Sequence, residues 1–139
     1  MEKSDFLNYR ALSREVRQLR DQLTTLEASL YSPRGQRFSN TPRSASGSKR
    51  TMDEAVAGHI RLEELYREKL AAQEAKLYDI EQALDSLADP AQRFIMRERY
   101  IFGYSWVRIC ETMRGQGYSE RQVFRLHGFA LLKLKEVNL

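Results

Sequence analysis

Apolar residues in the first thirty positions fall on a strict 3-4-3-4-3-4 spacing: Tyr9, Leu12, Val16, Leu19, Leu23, Leu26 and Leu30, with Arg10, Arg14, Glu15, Arg17, Arg20, Asp21 and Glu27 on the other faces. This is a narrow seam of just over three heptads, which one helix cannot bury alone, so it predicts a coiled-coil helix that needs a partner. Ser4-Asp5 offers a start, and Ser32-Pro33 with Gly35 a stop, because proline cannot continue a helix. The predicted helix covers roughly residues 5–31, within an N-terminal segment 1–31, and is about 40 Å long. A second seam, Tyr66, Leu70, Gln73, Leu77, Ile80, Leu84 and Leu87, predicts another long helix from Met52 to Leu87 in a segment 52–88. Val56, Ile60 and Leu62 are expected to extend it upstream. Gln73 interrupts it, either as a polar residue that sets register or as one at the seam's edge. The two helices can close as an antiparallel hairpin within one chain or pair between two chains.

Beyond Ala88 the pattern shortens. Asp89-Pro90 marks a boundary, with proline at the first position of a new helix and Asp as its cap. That helix is predicted to reach Phe102, with Ile95, Met96 and Tyr100 inward and Gly103 supplying the turn. Two more short helices follow, each begun by a Ser; Ser119 with Gln122 makes the S-x-x-Q form of a capping box. In the last helix, 120–136, Val123, Leu126, His127, Ala130 and Leu134 take the inward spacing, while Arg121, Gln122, Arg125 and Lys133 face out. Trp106, Ile109, Val123 and Leu134 are the expected core between the last two helices. The fold class expected is therefore all-α: a long coiled-coil-type helical hairpin followed by a three-helix, helix-turn-helix domain at 89–139. Fifty residues make a marginal core, so the long helices are expected to help hold it.

A helix with an apolar back and a front of forked or amide donors suits the reading of base edges in a DNA major groove. The DNA-binding residues expected are Ser119, Glu120, Arg121, Gln122, Arg125 and Lys133, with Arg114 placed to meet a phosphate. Charge agrees with this. The net +4 is spread as +5 over residues 1–51, −6 over 52–89 and +5 over 90–139. Basic ends suit a polyanion, and the acidic middle is expected to lie away from it. Residues 32–51, rich in Ser, Gly, Pro, Asn and Thr with Arg34, Arg37, Arg43, Lys49 and Arg50 and no acid, read as a flexible basic linker, either a plain tether or an arm that follows phosphates.

Other chemistry is sparse. The single Cys110 lies in an apolar run and reads as a small buried thiol. Only His59 and His127 could join it in a metal site, so no metal or other cofactor is expected; His59 reads as an ordinary polar residue on a helix face. No nucleophile-base-acid set or glycine-rich phosphate loop is present, and the expectation is that the protein is not an enzyme. The first residues lack a signal peptide's apolar core and no apolar run reaches spanning length, so no membrane association and a cytoplasmic location are expected.

Tyr100-Ile101-x-Gly103-x-Ser105-Trp106-x-x-Ile109, followed by Gly117-Tyr118-Ser119-x-Arg121-Gln122-Val123-x-Arg125-Leu126-His127-Gly128-x-Ala130-Leu131-x-Lys133-Leu134, resembles the C-terminal segment of the ArpU/RinA-type late-gene regulators of phages and prophages of Gram-positive bacteria. The order of coiled coil, low-complexity linker, second helix and final domain is similar as well. The resemblance implies a helix-turn-helix like region 4 of bacterial sigma factors, and control of phage late or packaging genes in a bacterial host cell. Cys110–Tyr118 is about three residues longer than the usual connection in that family, with Arg114-Gly115-Gln116 as the apparent insertion, which implies a loose turn.

Three functions follow as expectations. The first is a homodimeric regulator binding double-stranded DNA, its half-sites about 10 base pairs apart or a multiple. The outer residues Leu62 and Leu65 are then expected to join the second chain. The second is an RNA polymerase-binding adaptor, suggested by Phe94, Phe102, Tyr104, Phe124 and Phe129, more aromatic side chains than so small a core can bury. The third is the DNA-recognition subunit of a phage packaging motor.

Overall fold

The structure, a computed structural model, describes residues 1–31 and 48–137, which are helical with no strand among them. The helices are α1 (Lys3–Leu7), α2 (Tyr9–Tyr31), α3 (Ser48–Asp85), α4 (Pro90–Met96), α5 (Trp106–Arg114) and α6 (Glu120–Lys135); α4 runs on into a π-helical segment, Arg97–Ile101. α3 thus starts four residues before the expected Met52. The expected arm residues Arg34, Arg37 and Arg43 lie outside the described residues. The chain forms two compact units, Glu15–Glu74 and Met1–Arg14 with Ala75–Leu139.

In the unit Glu15–Glu74, α2 and α3 pair in antiparallel sense within one chain: Gln73 donates to Glu15, Arg20 pairs with Glu74, and Arg67 pairs with Glu27. Val16 and Leu19 are buried, and Leu23, Leu26, Tyr66 and Leu70 half-buried, as the seams predict. The upstream extension differs. Val56, Ile60 and Leu62 are exposed, while His59 and Glu63 are buried. Continuing the spacing of Leu70 and Tyr66 towards the N-terminus lands on Glu63 and then His59, so register rather than apolar character decides which side chains face α2. His59 Nε2 donates to the Leu26 carbonyl at 2.6 Å, and Arg67 reaches Glu63 Oε2 at 3.3 Å, while Glu63 Oε1 is buried without a hydrogen-bond partner among the described residues. His59 is therefore an interface residue and not an ordinary polar one. Of the four arginines of α2, Arg10, Arg14, Arg17 and Arg20, the last alone forms an ion pair among the described residues. That pair is exposed and contributes little.

The other unit holds two apolar clusters. In the first, Phe6 and Tyr9 meet Ile80, Leu84 and Leu87 from the α3 end, Met96 and Tyr100, and Ala130 and Leu134 of α6. The backbone stays helical in φ and ψ at Asn8, between α1 and α2, so Phe6, three residues before Tyr9, lies on the side of Tyr9 and packs on Tyr100, ring to ring at 5.8 Å. Tyr9 donates to Glu81 at 2.6 Å, and burial together with that carboxylate pushes its phenol up to about 12. The second cluster is Ile95, Ile109, Cys110, Met113 and Val123, with Trp106, Tyr118 and Leu126 half-buried against it. Leu134 thus belongs to the first cluster, not with Trp106, Ile109 and Val123. The 16 residues of α6 span about 24 Å, long enough for its two halves to face different neighbours. Burial pushes the Cys110 thiol up, so it is held as a neutral, inert group.

Candidate nucleic-acid interface

α5 begins at Ser105, whose hydroxyl accepts from the Arg108 amide at 3.3 Å, and it buries Ile109, Cys110 and Met113. Its end is closed rather than loose. The Tyr118 amide returns to the Met113 carbonyl at 3.0 Å and the Gly117 amide to Arg114 at 3.1 Å, with Gly117 left-handed at φ 93°. This is the paired bonding of a Schellman motif, which a residue without Cβ enters at no steric cost. Arg114 itself is exposed in the last turn of α5.

Ser119 then caps α6 reciprocally: its hydroxyl accepts from the Gln122 amide at 3.2 Å, while its own amide donates to Gln122 Oε1 at 2.7 Å. Two of the expected contacts are therefore committed to the cap. Gln122 keeps only its NH2 group free to donate outward. Glu120 is exposed in the first turn, where the helix dipole favours a carboxylate. Val123, His127, Ala130 and Leu134 are buried and Leu126 half-buried, so Arg121 and Arg125, four residues apart, project from the opposite, exposed side. Lys133 is exposed two turns further on.

The exposed face of α6 has two characters. After Arg121 and Arg125 it continues into Phe129 and Leu132, which are 51% and 62% exposed. Behind it, His127 lies between the Tyr100 hydroxyl at 2.8 Å and the edge of Trp106, ring to ring at 4.7 Å. Burial lowers its pKa to about 4, with Lys3 and Arg99 adding to the effect, so the imidazole is neutral at ordinary pH. Trp106 also packs on Phe124 at 5.0 Å.

Sequence periodicity has no means of finding a second basic and aromatic group, on the loop before α5. Arg99 donates to the Tyr104 carbonyl at 3.1 Å and lies 5.1 Å from the Trp106 ring, while Arg108 lies 3.6 Å over the Tyr104 ring. The alternation Phe102-x-Tyr104-x-Trp106-x-Arg108 is the only sign of it in the sequence. Among the described residues no group of three or more His, Cys, Asp or Glu side chains could hold a metal ion, and no helix is long and apolar enough to cross a membrane. No family model, curated protein or solved structure matches the chain.

Proposed function

We propose that the protein is a sequence-specific regulator that binds double-stranded DNA as a homodimer, with α5 and α6 as a helix-turn-helix and α6 entering the major groove. The observation that carries this reading is the exposure of Arg121 and Arg125 on one side of a helix whose other side is fully packed. Two guanidinium forks one turn apart can address neighbouring guanines, each good bidentate contact discriminating by about 1–3 kcal/mol. Lys133 and Arg114 serve phosphates in this reading, and the NH2 of Gln122 adds a single donor. The resemblance to phage late regulators supports the same role and suggests late or packaging genes as the target. Dimerisation is supported by Leu62 and Leu65, exposed at 39% and 44% and three residues apart on one side of α3.

Sequencing the fragments that the purified protein retains from random duplex DNA tests the proposal. A single enriched motif is expected. Arg121→Ala should then cost about 1–3 kcal/mol on that motif and much less on unrelated duplex. Equal losses on both would make Arg121 a phosphate contact, and failure to enrich any motif would end the reading.

A second reading, an RNA polymerase-binding adaptor, is favoured by one observation: Phe129 and Leu132 lie exposed on the face that carries Arg121 and Arg125. A monomer mass that persists on DNA, with loss of polymerase binding in Phe129→Ala, would favour it over the dimeric regulator.

A further inference from the structure

Between the π-helical segment and α5 the chain passes through Phe102, Gly103, Tyr104 and Ser105. The Phe102 ring is 56% exposed and stacks on Tyr104, with centroids 6.0 Å apart and planes 19° from parallel. Beyond Tyr104 comes the Arg108 guanidinium, 3.6 Å from the ring centre, so cation, ring and ring form one stack with its outer end open to water. Two further guanidinium groups converge on the same loop. Arg99 holds the Tyr104 carbonyl, and Arg10 lies so close against Gly103 that a Cβ there would overlap it. Arg10, Arg99 and Arg108 form no ion pair among the described residues.

An exposed phenylalanine alone is ordinary. Its combination with three unneutralised guanidinium groups is selective, because the ligand that satisfies both must be flat, apolar on its faces and anionic at its edge. A nucleotide within a strand has that chemistry. In an intact duplex both faces of each base are already covered, so the open ring can take only an unpaired one. We infer that the Phe102–Arg108 loop is a binding site for an unpaired base of single-stranded DNA: the base stacks on Phe102, and its flanking phosphates meet Arg10, Arg99 and Arg108. The inference rests on the nucleic-acid reading but uses none of the α6 residues. It would give a DNA regulator a hold on a strand end, a fork or a melted stretch beside its duplex site.

The test is binding of the full chain to two fluorescent single strands of about 12 nucleotides, one oligothymidine and one abasic, which carries the same phosphates without bases. Wild type should prefer oligothymidine by about tenfold, the effect of one or more stacked bases. Phe102→Ala should erase the preference while leaving abasic binding and the unfolding midpoint unchanged, Phe102→Trp should retain it, and Arg108→Ala should weaken both strands and flatten the salt dependence. Equal wild-type binding to the two strands, no binding to either at about 0.1 M salt, or an undiminished preference in Phe102→Ala would each overturn the inference. Binding of the selected duplex, measured in parallel, reports separately on α6. Loss of the single-strand preference with duplex binding intact would mark the loop as a second site.

Discussion

His127 is a base buried against Tyr100 and Trp106, and this makes stability depend on pH in a definite direction. Its folded pKa of about 4 lies below its ordinary 6.5, so as pH falls the unfolded chain takes up the proton first. The stabilisation is complete above pH 6.5 and is lost as pH falls from there towards 4, by up to roughly 2–3 kcal/mol. Urea unfolding of wild type and His127→Gln at pH 7 and pH 4.5 checks this, the difference between the two proteins being expected to shrink at the lower pH. Trp106→Ala should cost about 2–3 kcal/mol, at the low end for an aromatic truncation, because the ring is only half-buried. A loss below 1 kcal/mol would mean that its contacts with Phe124 and His127 contribute little. Gly103→Ala should cost about 1–2 kcal/mol, since φ is 74°, and should also push the flexible Arg10 guanidinium out of the space the new methyl takes. At this scale the inward positions of α6 were legible because one unbroken period runs through them. Phe6 was not, because the strict alternation of the seam falls on Asp5 before Tyr9, and neither was the commitment of Gln122 to the cap.

The elements themselves were largely legible. Capping serines, Asp89-Pro90 and the heptad seam placed α2, α4, α5 and α6 to within a few residues, since each signal acts over one or two turns. What misled was the upstream part of α3, where apolar residues stand beside the seam and polar ones within it. That arrangement separates two effects of mutation. Leu19, buried against α3, should when replaced by Asp lower the unfolding midpoint sharply, whereas Leu65→Asp, at an exposed position, should leave the midpoint unchanged and reduce the sedimenting mass from dimer to monomer. An unchanged mass in Leu65→Asp combined with Leu62→Asp would remove α3 from the dimer interface. The turn between α5 and α6 was expected to be loose on length alone. Length says nothing about bonding, and Gly117 closes it.

For the whole molecule, the legible property was charge. Both basic ends and the acidic stretch at 52–89 can be counted along the chain, and the stretch from 90 onward carries the groups proposed to meet DNA. If Arg114 and Lys133 each neutralise a phosphate in each protomer, log affinity for duplex should fall against log salt with a slope of about −2 per half-site, and a slope nearer about −4 would make Arg121 and Arg125 phosphate contacts as well. A slope near zero would exclude a phosphate-led complex. Convergence of Arg10, Arg99 and Arg108 was not legible at all, because residues 10, 99 and 108 are brought together only by tertiary packing.

The π-helical segment has a consequence for tolerance to deletion. A π turn holds one residue more than an α-helix needs over the same stretch, with the Phe102 amide reaching back to the Arg97 carbonyl. Removing one residue there, Glu98, lets the backbone relax into ordinary i to i−4 bonding and keeps Ile95 and Met96 facing inward. The same excision in α6, at Arg125, would rotate every later residue by about 100° and carry Ala130 and Leu134 off the core. Shortening the chain by one amino acid should therefore leave a cooperatively folding protein in the first case and a collapsed one in the second.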